Sequence, residues 1–218
     1  MVGNAVLKST MGFSDGEAAA IANCESILAA IRNDSVHLAL WDRPRPARLK
    51  PVDDLSWDQI DDIDRSMDVA DCGQLIPGAL IEAGYPARIG QLLGEETLGL
   101  TRIFAEIMAC DRIRLRLEIV ETDACRKFHA DMVTARLLMT VSGPATQWIY
   151  ADEPDNIFDM KTGAVGVFKG RLSAEVPHIL HRSPPIATAG ATRLLLVINP
   201  VEPDDIASTS TGSRQTSP

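Results

Sequence analysis

The spacing of hydrophobic positions changes near Asp111, from mostly helical before it to alternation at period two after it. From Ser14 to Ile31, Ser14 with Glu17 three residues on fits a capping box. Ile21, Ile27, Leu28 and Ile31 then share one face, which predicts a docking helix. The next segment, SVHLALWDRP, sets Val36, Leu38 and Leu40 against His37, Ala39 and Trp41 before Pro44 and Pro46 end it, so a strand is predicted at about 36–41. Aspartates crowd the stretch from Asp53 to Asp71, among Leu55, Ile60, Ile63 and Met67 at helical spacing. Neither the residue order of a calcium loop nor its terminal Glu is present, so a solvated acidic helix face is expected. A further helical region, from about Arg88 to Cys110, carries Leu100, Ile103, Phe104 and Ile107 as its apolar stripe and should break near Gly94 and Gly99.

Beyond Asp111, Ile113, Leu115, Leu117 and Ile119 alternate with Arg114, Arg116 and Glu118, the signature of a half-buried strand. Four more strand-like runs follow at 133–141, 146–150, 164–170 and 192–200, parted by Gly143-Pro144 and other turn residues. This spacing predicts a sandwich or barrel. The expected organisation is α+β: a helical region over 1–110 with one strand joining the barrel, a β-rich core over 111–200, and a disordered tail over 201–218.

Composition narrows the function classes. With 21 basic and 30 acidic residues the net charge is −9, which repels phosphate backbones and argues against nucleic acid as a partner. Cys24, Cys72, Cys110 and Cys125 form no C-x-x-C pair and read as reduced thiols. The N-terminus lacks the pattern of a secretory signal, and no stretch approaches a membrane span, so a cytoplasmic location away from membranes is expected. G-x-S-x-G, G-x-G-x-x-G and P-loop patterns are all absent.

Three of the four histidines, His129, His178 and His181, lie in the β-rich half, and His129-Ala130-Asp131 forms an H-x-D step. In an extended segment residues two apart face the same way, so the imidazole of His129 and the carboxylate of Asp131 can meet one ion. His181 lies 52 residues on, enough chain for several short strands to return beside the pair. Two histidines and a carboxylate on one face of an octahedral ion leave three positions open, as in non-haem iron(II) oxygenases. Twelve residues after His181, Arg193 opens the last apolar run, where its guanidinium could hold a carboxylate such as that of 2-oxoglutarate. Arg136 is a second candidate anchor for an anion. His178 is an alternative to His181 as ligand, and Cys125 is a further candidate whose thiolate would favour zinc. The bland alternative makes these histidines ordinary core or surface groups, Asp131 a turn carboxylate and Arg193 a solvated strand-end charge.

The order H-x-D, about fifty residues, His, and a basic residue some ten later resembles the double-stranded β-helix oxygenases, which implies a cupin-like barrel or sandwich with the N-terminal helices packed outside. VHLALWDRP, CRKFHADMVTARLLMTVSGPATQW, VFKG, HRSPP and RLLLVIN together resemble the bacterial family known as domain of unknown function 1826, over about Val36 to Asn199. That resemblance implies motif roles for Cys125, His129, Asp131, Gly143, Trp148, His181 and Arg182, and an association with metal homeostasis. Its activity is not settled. Where this chain has GPAT (143–146), family members carry a G-x-G-type turn, so Ala145 is a departure.

The leading expectation is an iron(II), 2-oxoglutarate-type oxygenase. His129, Asp131 and His181 hold the metal, Arg193 holds the co-substrate carboxylate, and a small substrate is hydroxylated in the barrel mouth. The second is a zinc-binding accessory or homeostasis protein on the same barrel, with Cys125 closing the site. The third is a metal-free barrel acting through partner contacts. The N-terminal helices are expected either to cap the barrel or to form a homodimer face.

Overall fold

A computed structural model describes residues 18–123, 125–186 and 190–201. Among these residues ten strands form two sheets. The larger has the order β1 (Ala19–Ala22), β2 (Leu38–Trp41), β8 (Val165–Lys169), β5 (Ala135–Ser142), β10 (Arg193–Pro200), β4 (Arg112–Val120), β3 (Ile63–Asp68). The smaller has the order β7 (Phe158–Asp159), β6 (Gln147–Tyr150), β9 (Ile179–Arg182). All neighbours are antiparallel except β1 and β2.

Period two divides the central strands between two apolar layers. Leu194, Leu196 and Ile198 of β10, with Leu115 and Leu117 of β4 and Leu137 and Met139 of β5, pack with helices α1 (Cys72–Glu82) and α2 (Ala87–Met108), which contribute Ile76, Leu80, Leu93 and Phe104. The intervening Leu195, Val197 and Leu138 join Trp148, Phe158 and Ile179 of the small sheet in a second cluster. The large sheet is therefore sandwiched, with helices on one face and the small sheet on the other. Glu96 of α2, only 5% exposed, accepts hydrogen bonds from Arg43 and Arg48, tying the helix to the segment after β2.

Several local expectations are corrected. The helix expected from Ser14 to Ile31 is instead strand β1 followed by a 3-10 helix, Glu25–Arg32, which buries Ile27, Leu28 and Ile31 while Ile21 stays half exposed. The Ser14–Glu17 capping box lies outside the described residues. The acidic helix face expected between Asp53 and Asp71 is strand β3, flanked by short 3-10 turns. A spacing of four, as in Ile63 and Met67, satisfies period two as well as a helix. Cross-strand charge decides between them: Asp64 takes two hydrogen bonds from Arg114 of β4 at 2.6 and 2.7 Å.

α2 runs unbroken through Gly94 and Gly99; Gly94 faces α1, where an added Cβ would sit 3.4 Å from Leu80 Cδ1. α1 escaped prediction because Pro77 and two glycines punctuate it. With β1 and β3, the described residues before Asp111 contribute three strands rather than one. The five strands expected after Asp111 are all present, joined by β7 and β9. The tail lies outside the described residues beyond Val201. Among the described residues, no helix is long and apolar enough to cross a membrane.

Gly143 ends β5 at φ +83°, where a Cβ would lie 2.3 Å from the Thr192 carbonyl oxygen and 2.9 Å from Arg193 Cα. The turn can pass the start of β10 only without a side chain. Gly143→Ala is expected to cost at least about 1–3 kcal/mol, the strain of that backbone region for a non-glycine residue. It should lower the urea midpoint at unchanged slope. A native midpoint would show that the turn relaxes freely.

Candidate metal and anion site

His129 and Asp131 lie on the long connection between β4 and β5, and His181 lies on β9. The two histidines exchange backbone hydrogen bonds, His129 N–H to the His181 carbonyl at 3.0 Å and His181 N–H to the His129 carbonyl at 2.9 Å. This reciprocal pair sets their side chains on the same face, ring centroids 4.8 Å apart. The Asp131 carbonyl accepts from Arg171 N–H at 2.8 Å, and the Ser183 N–H donates to the Cys125 carbonyl at 3.0 Å, so the connection is held at several points.

The donor atoms converge. One ligand atom from each of His129, Asp131 and His181 lies within 4.8 Å of the others. His129 Nδ1 contacts the Lys127 carbonyl oxygen at 2.8 Å, which requires a proton on Nδ1 and leaves the lone pair on Nε2. That Nε2 is 3.7 Å from Asp131 Oδ1, and His181 Nε2 is 3.1 Å from Asp131 Oδ2. Although close to His181, Oδ2 lies outside hydrogen-bond geometry. Among the described residues it is a buried acceptor with no donor. Arg136 donates to Oδ1 through Nη1, and to Asn199 Oδ1 through Nε at 2.9 Å.

Electrostatics prepare the set for a cation. Burial pushes the Asp131 carboxyl upward, but His181, Arg136 and His129 outweigh it and leave its pKa below the ordinary carboxylate value. Burial dominates at His181 and lowers its pKa despite Asp131 beside it. At neutral pH the carboxylate is charged and the His181 imidazole is neutral. A neutral imidazole, an anionic oxygen lacking a donor and a His129 lone pair fit a divalent cation of the kind bound by nitrogen and oxygen.

The same three residues line a cavity of about 620 Å³ that Arg193 also lines. Arg193 is 1% exposed, and among the described residues its guanidinium donates to two hydroxyls, Ser183 Oγ at 3.0 Å and Thr146 Oγ1 at 2.6 Å. Burial lowers its pKa to about 10, so it is still charged at neutral pH. Among the described residues no carboxylate forms an ion pair with it. Glu118, itself paired with Arg116, acts on it only from a distance and raises its pKa. A buried cation with no carboxylate in contact is costly, and an anionic ligand would relieve the cost.

The remaining candidates fall elsewhere. His178 stacks on His37 at 4.6 Å and is not part of the converging set. Cys125 is exposed and lines the cavity, but its thiol is not among the converging atoms. Arg136 is engaged by Asp131 and Asn199 rather than left free for an anion. Trp148 is a core residue stacked on Phe158 at 4.4 Å, and Arg182 lies over the Phe128 ring while donating to Gln147 at 2.9 Å. Sequence reasoning missed Thr146 and Ser183 as partners of Arg193. Ser183, two residues after His181 along the direction of β9, carried the only readable signal. Ala145, the departure in the turn, packs against the second apolar cluster.

Residues 22–199 match the family described as "Protein of unknown function (DUF1826)". No curated protein matches the chain. Among solved structures, a dioxygenase for auxin oxidation from rice is 12% identical with TM-score 0.47, the match covering 86% of this chain and 83% of that one. A prolyl-4-hydroxylase from Pseudomonas putida is 15% identical with TM-score 0.44, covering 81% of this chain and all 100% of that one. The dioxygenase for auxin oxidation 1 from Arabidopsis thaliana, solved as a 2-oxoglutarate complex, is 14% identical with TM-score 0.37, covering 83% and 80%.

Burial also lowers His37, to about 4 from 6.5, helped by His178 and Lys169. In the unfolded chain His37 and His181 take up protons near the ordinary value, whereas folded they stay neutral. Acid therefore favours unfolding: their contribution is complete above the unfolded value and is lost as pH falls towards the folded one. The metal-free protein is expected to show a urea midpoint that declines between about pH 6.5 and pH 5, above the main carboxylate range. His37→Gln should flatten part of that decline. A slope identical to the native one would remove His37 from the account.

Proposed function

The chain belongs to the DUF1826 family of proteins of unknown function, and we propose that it is a non-haem iron(II) oxygenase that uses 2-oxoglutarate on a double-stranded β-helix. The observation that carries this reading is the meeting, in one cavity, of a three-residue ligand set with a buried arginine that no carboxylate contacts among the described residues. The two sheets face each other across an apolar cluster, and the His129–His181 bridge extends the smaller one, in keeping with that fold.

His129 Nε2, His181 Nε2 and one oxygen of Asp131 would hold the metal. Two imidazoles and one carboxylate without a thiolate suit iron(II) with open positions better than a closed zinc site. An ion held there would supply dioxygen activation, with 2-oxoglutarate as the two-electron co-reductant oxidised alongside the substrate. The Lys127 carbonyl fixes the His129 tautomer, keeping the ligating nitrogen free of a proton. Arg193 binds the distal carboxylate of 2-oxoglutarate, while Thr146 and Ser183 hold the guanidinium fork in position. Leu138, Leu195 and Val197 line the cavity with apolar surface that excludes water, leaving room for a small substrate.

The test is metal content by mass spectrometry on anaerobically purified protein, followed by 2-oxoglutarate titration under nitrogen. Near-stoichiometric iron is expected in the native chain and should be lost in His129→Ala and Asp131→Ala. A visible charge-transfer band should rise on adding 2-oxoglutarate. Arg193→Met is expected to keep its iron but to bind 2-oxoglutarate roughly 10- to 150-fold more weakly, the loss of about 1.5–3 kcal/mol for hydrogen bonds to a charged group. Zinc that resists all three substitutions, or no metal at all, would overturn the proposal.

A further inference from the structure

We infer that Arg136 is a positioning residue that decides which oxygen of Asp131 a metal ion meets and keeps that carboxylate a one-oxygen ligand; the inference rests on reading His129, Asp131 and His181 as the metal triad. The carboxylate is unsymmetrical in its surroundings. Oδ1 is taken by Arg136 Nη1, whereas Oδ2 is buried, receives no hydrogen bond and lies 3.1 Å from His181 Nε2. The bare oxygen is the one turned towards the more buried histidine.

Arg136 is itself fixed. It stands on β5, and its Nε donates at 2.9 Å to Asn199, a 6%-exposed residue on the neighbouring strand β10. The two strands are in register at Leu137 and Ile198, which brings Arg136 and Asn199 alongside each other. The guanidinium is thus held by the sheet at one edge and presented to Asp131 at another. A planar fork fixed in this way reaches one carboxylate oxygen and leaves its partner free.

The consequence concerns open positions. A carboxylate can bind a metal through one oxygen or two. Beside two imidazoles, a two-oxygen Asp131 would leave an octahedral ion with two open positions rather than three. Both would then be filled by a chelating 2-oxoglutarate, with none left for dioxygen. By occupying Oδ1, Arg136 protects the third position, and the sheet rather than the loop sets the stoichiometry of the site.

Cobalt(II) is the probe, because its visible absorption reports coordination and its uptake requires no turnover. The full chain is titrated with cobalt(II) as native protein and as Arg136→Gln, Arg136→Lys and Asn199→Ala, and metal-free Tm is measured for each. Arg136→Gln is expected to bind cobalt about 10- to 100-fold more weakly, the usual cost of losing a group that orients a metal ligand. Its bound cobalt should also show a changed absorption spectrum. Arg136→Lys, which keeps a cationic donor for Oδ1, should recover part of the affinity and the native spectrum, and Asn199→Ala should fall between native and Arg136→Gln. A purely structural role would lower metal-free Tm yet leave the spectrum of bound cobalt native, and that result overturns the inference. If Arg136→Gln does not fold, native affinity and spectrum in both Arg136→Lys and Asn199→Ala overturn it instead. Native cobalt binding in Arg136→Gln would remove the clamp and leave the triad standing, whereas a native chain that takes up no cobalt overturns both.

Discussion

The arginines of the site, Arg193 and Arg136, depend on the central strands of the large sheet being covered on both faces. Residues two apart on β10 share an environment, and adjacent ones do not. Leu194, Leu196 and Ile198 go beneath the helices, so Arg193, Leu195, Val197 and Asn199 must face the small sheet. A one-residue slip of β10 would drive Arg193 into the helical layer and pull three leucine or isoleucine side chains out of it. Since each such side chain is worth about 1.5–3 kcal/mol when buried, the register is held by the apolar layer and the polar site inherits it. Stability and function are therefore linked through strand parity rather than through any contact between the helices and the cavity.

The polar groups placed in that layer are expensive. Among the described residues, Arg193, 1% exposed, has hydroxyls as its hydrogen-bond partners, and Asp131 keeps a buried oxygen with no donor. Groups left partly unsatisfied in a folded protein are unfavourable unless something else completes them. The two shortfalls have opposite sign: a carboxylate whose second oxygen lacks a donor and a guanidinium that no anion contacts. A cation and an anion arriving from solution, as proposed, would satisfy both in one cavity.

Much of this was legible beforehand, and the limits have physical causes. His129, Asp131, His181 and Arg193 stood out because few residue types can bind metal or a carboxylate, and their order along the chain was restrictive. What no single sequence displays is the pairing that brings distant residues together, such as the His129–His181 bridge or the Arg136–Asn199 contact. Helical spacing misled at Ile63 and Met67 because four residues is a multiple of two. The complementary Asp64 and Arg114 would have pointed to a strand. β9 went unread as a strand because its four residues, half of them His and Arg, lie between Pro177 and Pro184. His178 and His181 could not be separated from their positions alone. Only the stacking of His178 on His37 removes it from the ligand set.

The placement of the triad has a further consequence for the fold. His129 and Asp131 belong to the connection after β4, while His181 belongs to the small sheet, and apart from side chains only a few backbone hydrogen bonds join the two. An ion bound by all three would act as a cross-link between segments 52 residues apart in sequence. Any ligand that binds the folded state alone stabilises it by mass action, by about 2.7 kcal/mol at a hundred times its Kd. That stabilisation would fall on the small sheet and on the connection after β4, where the cavity opens, rather than on the helical layer. Loading the site and ordering the wall against which a substrate rests would then be a single event.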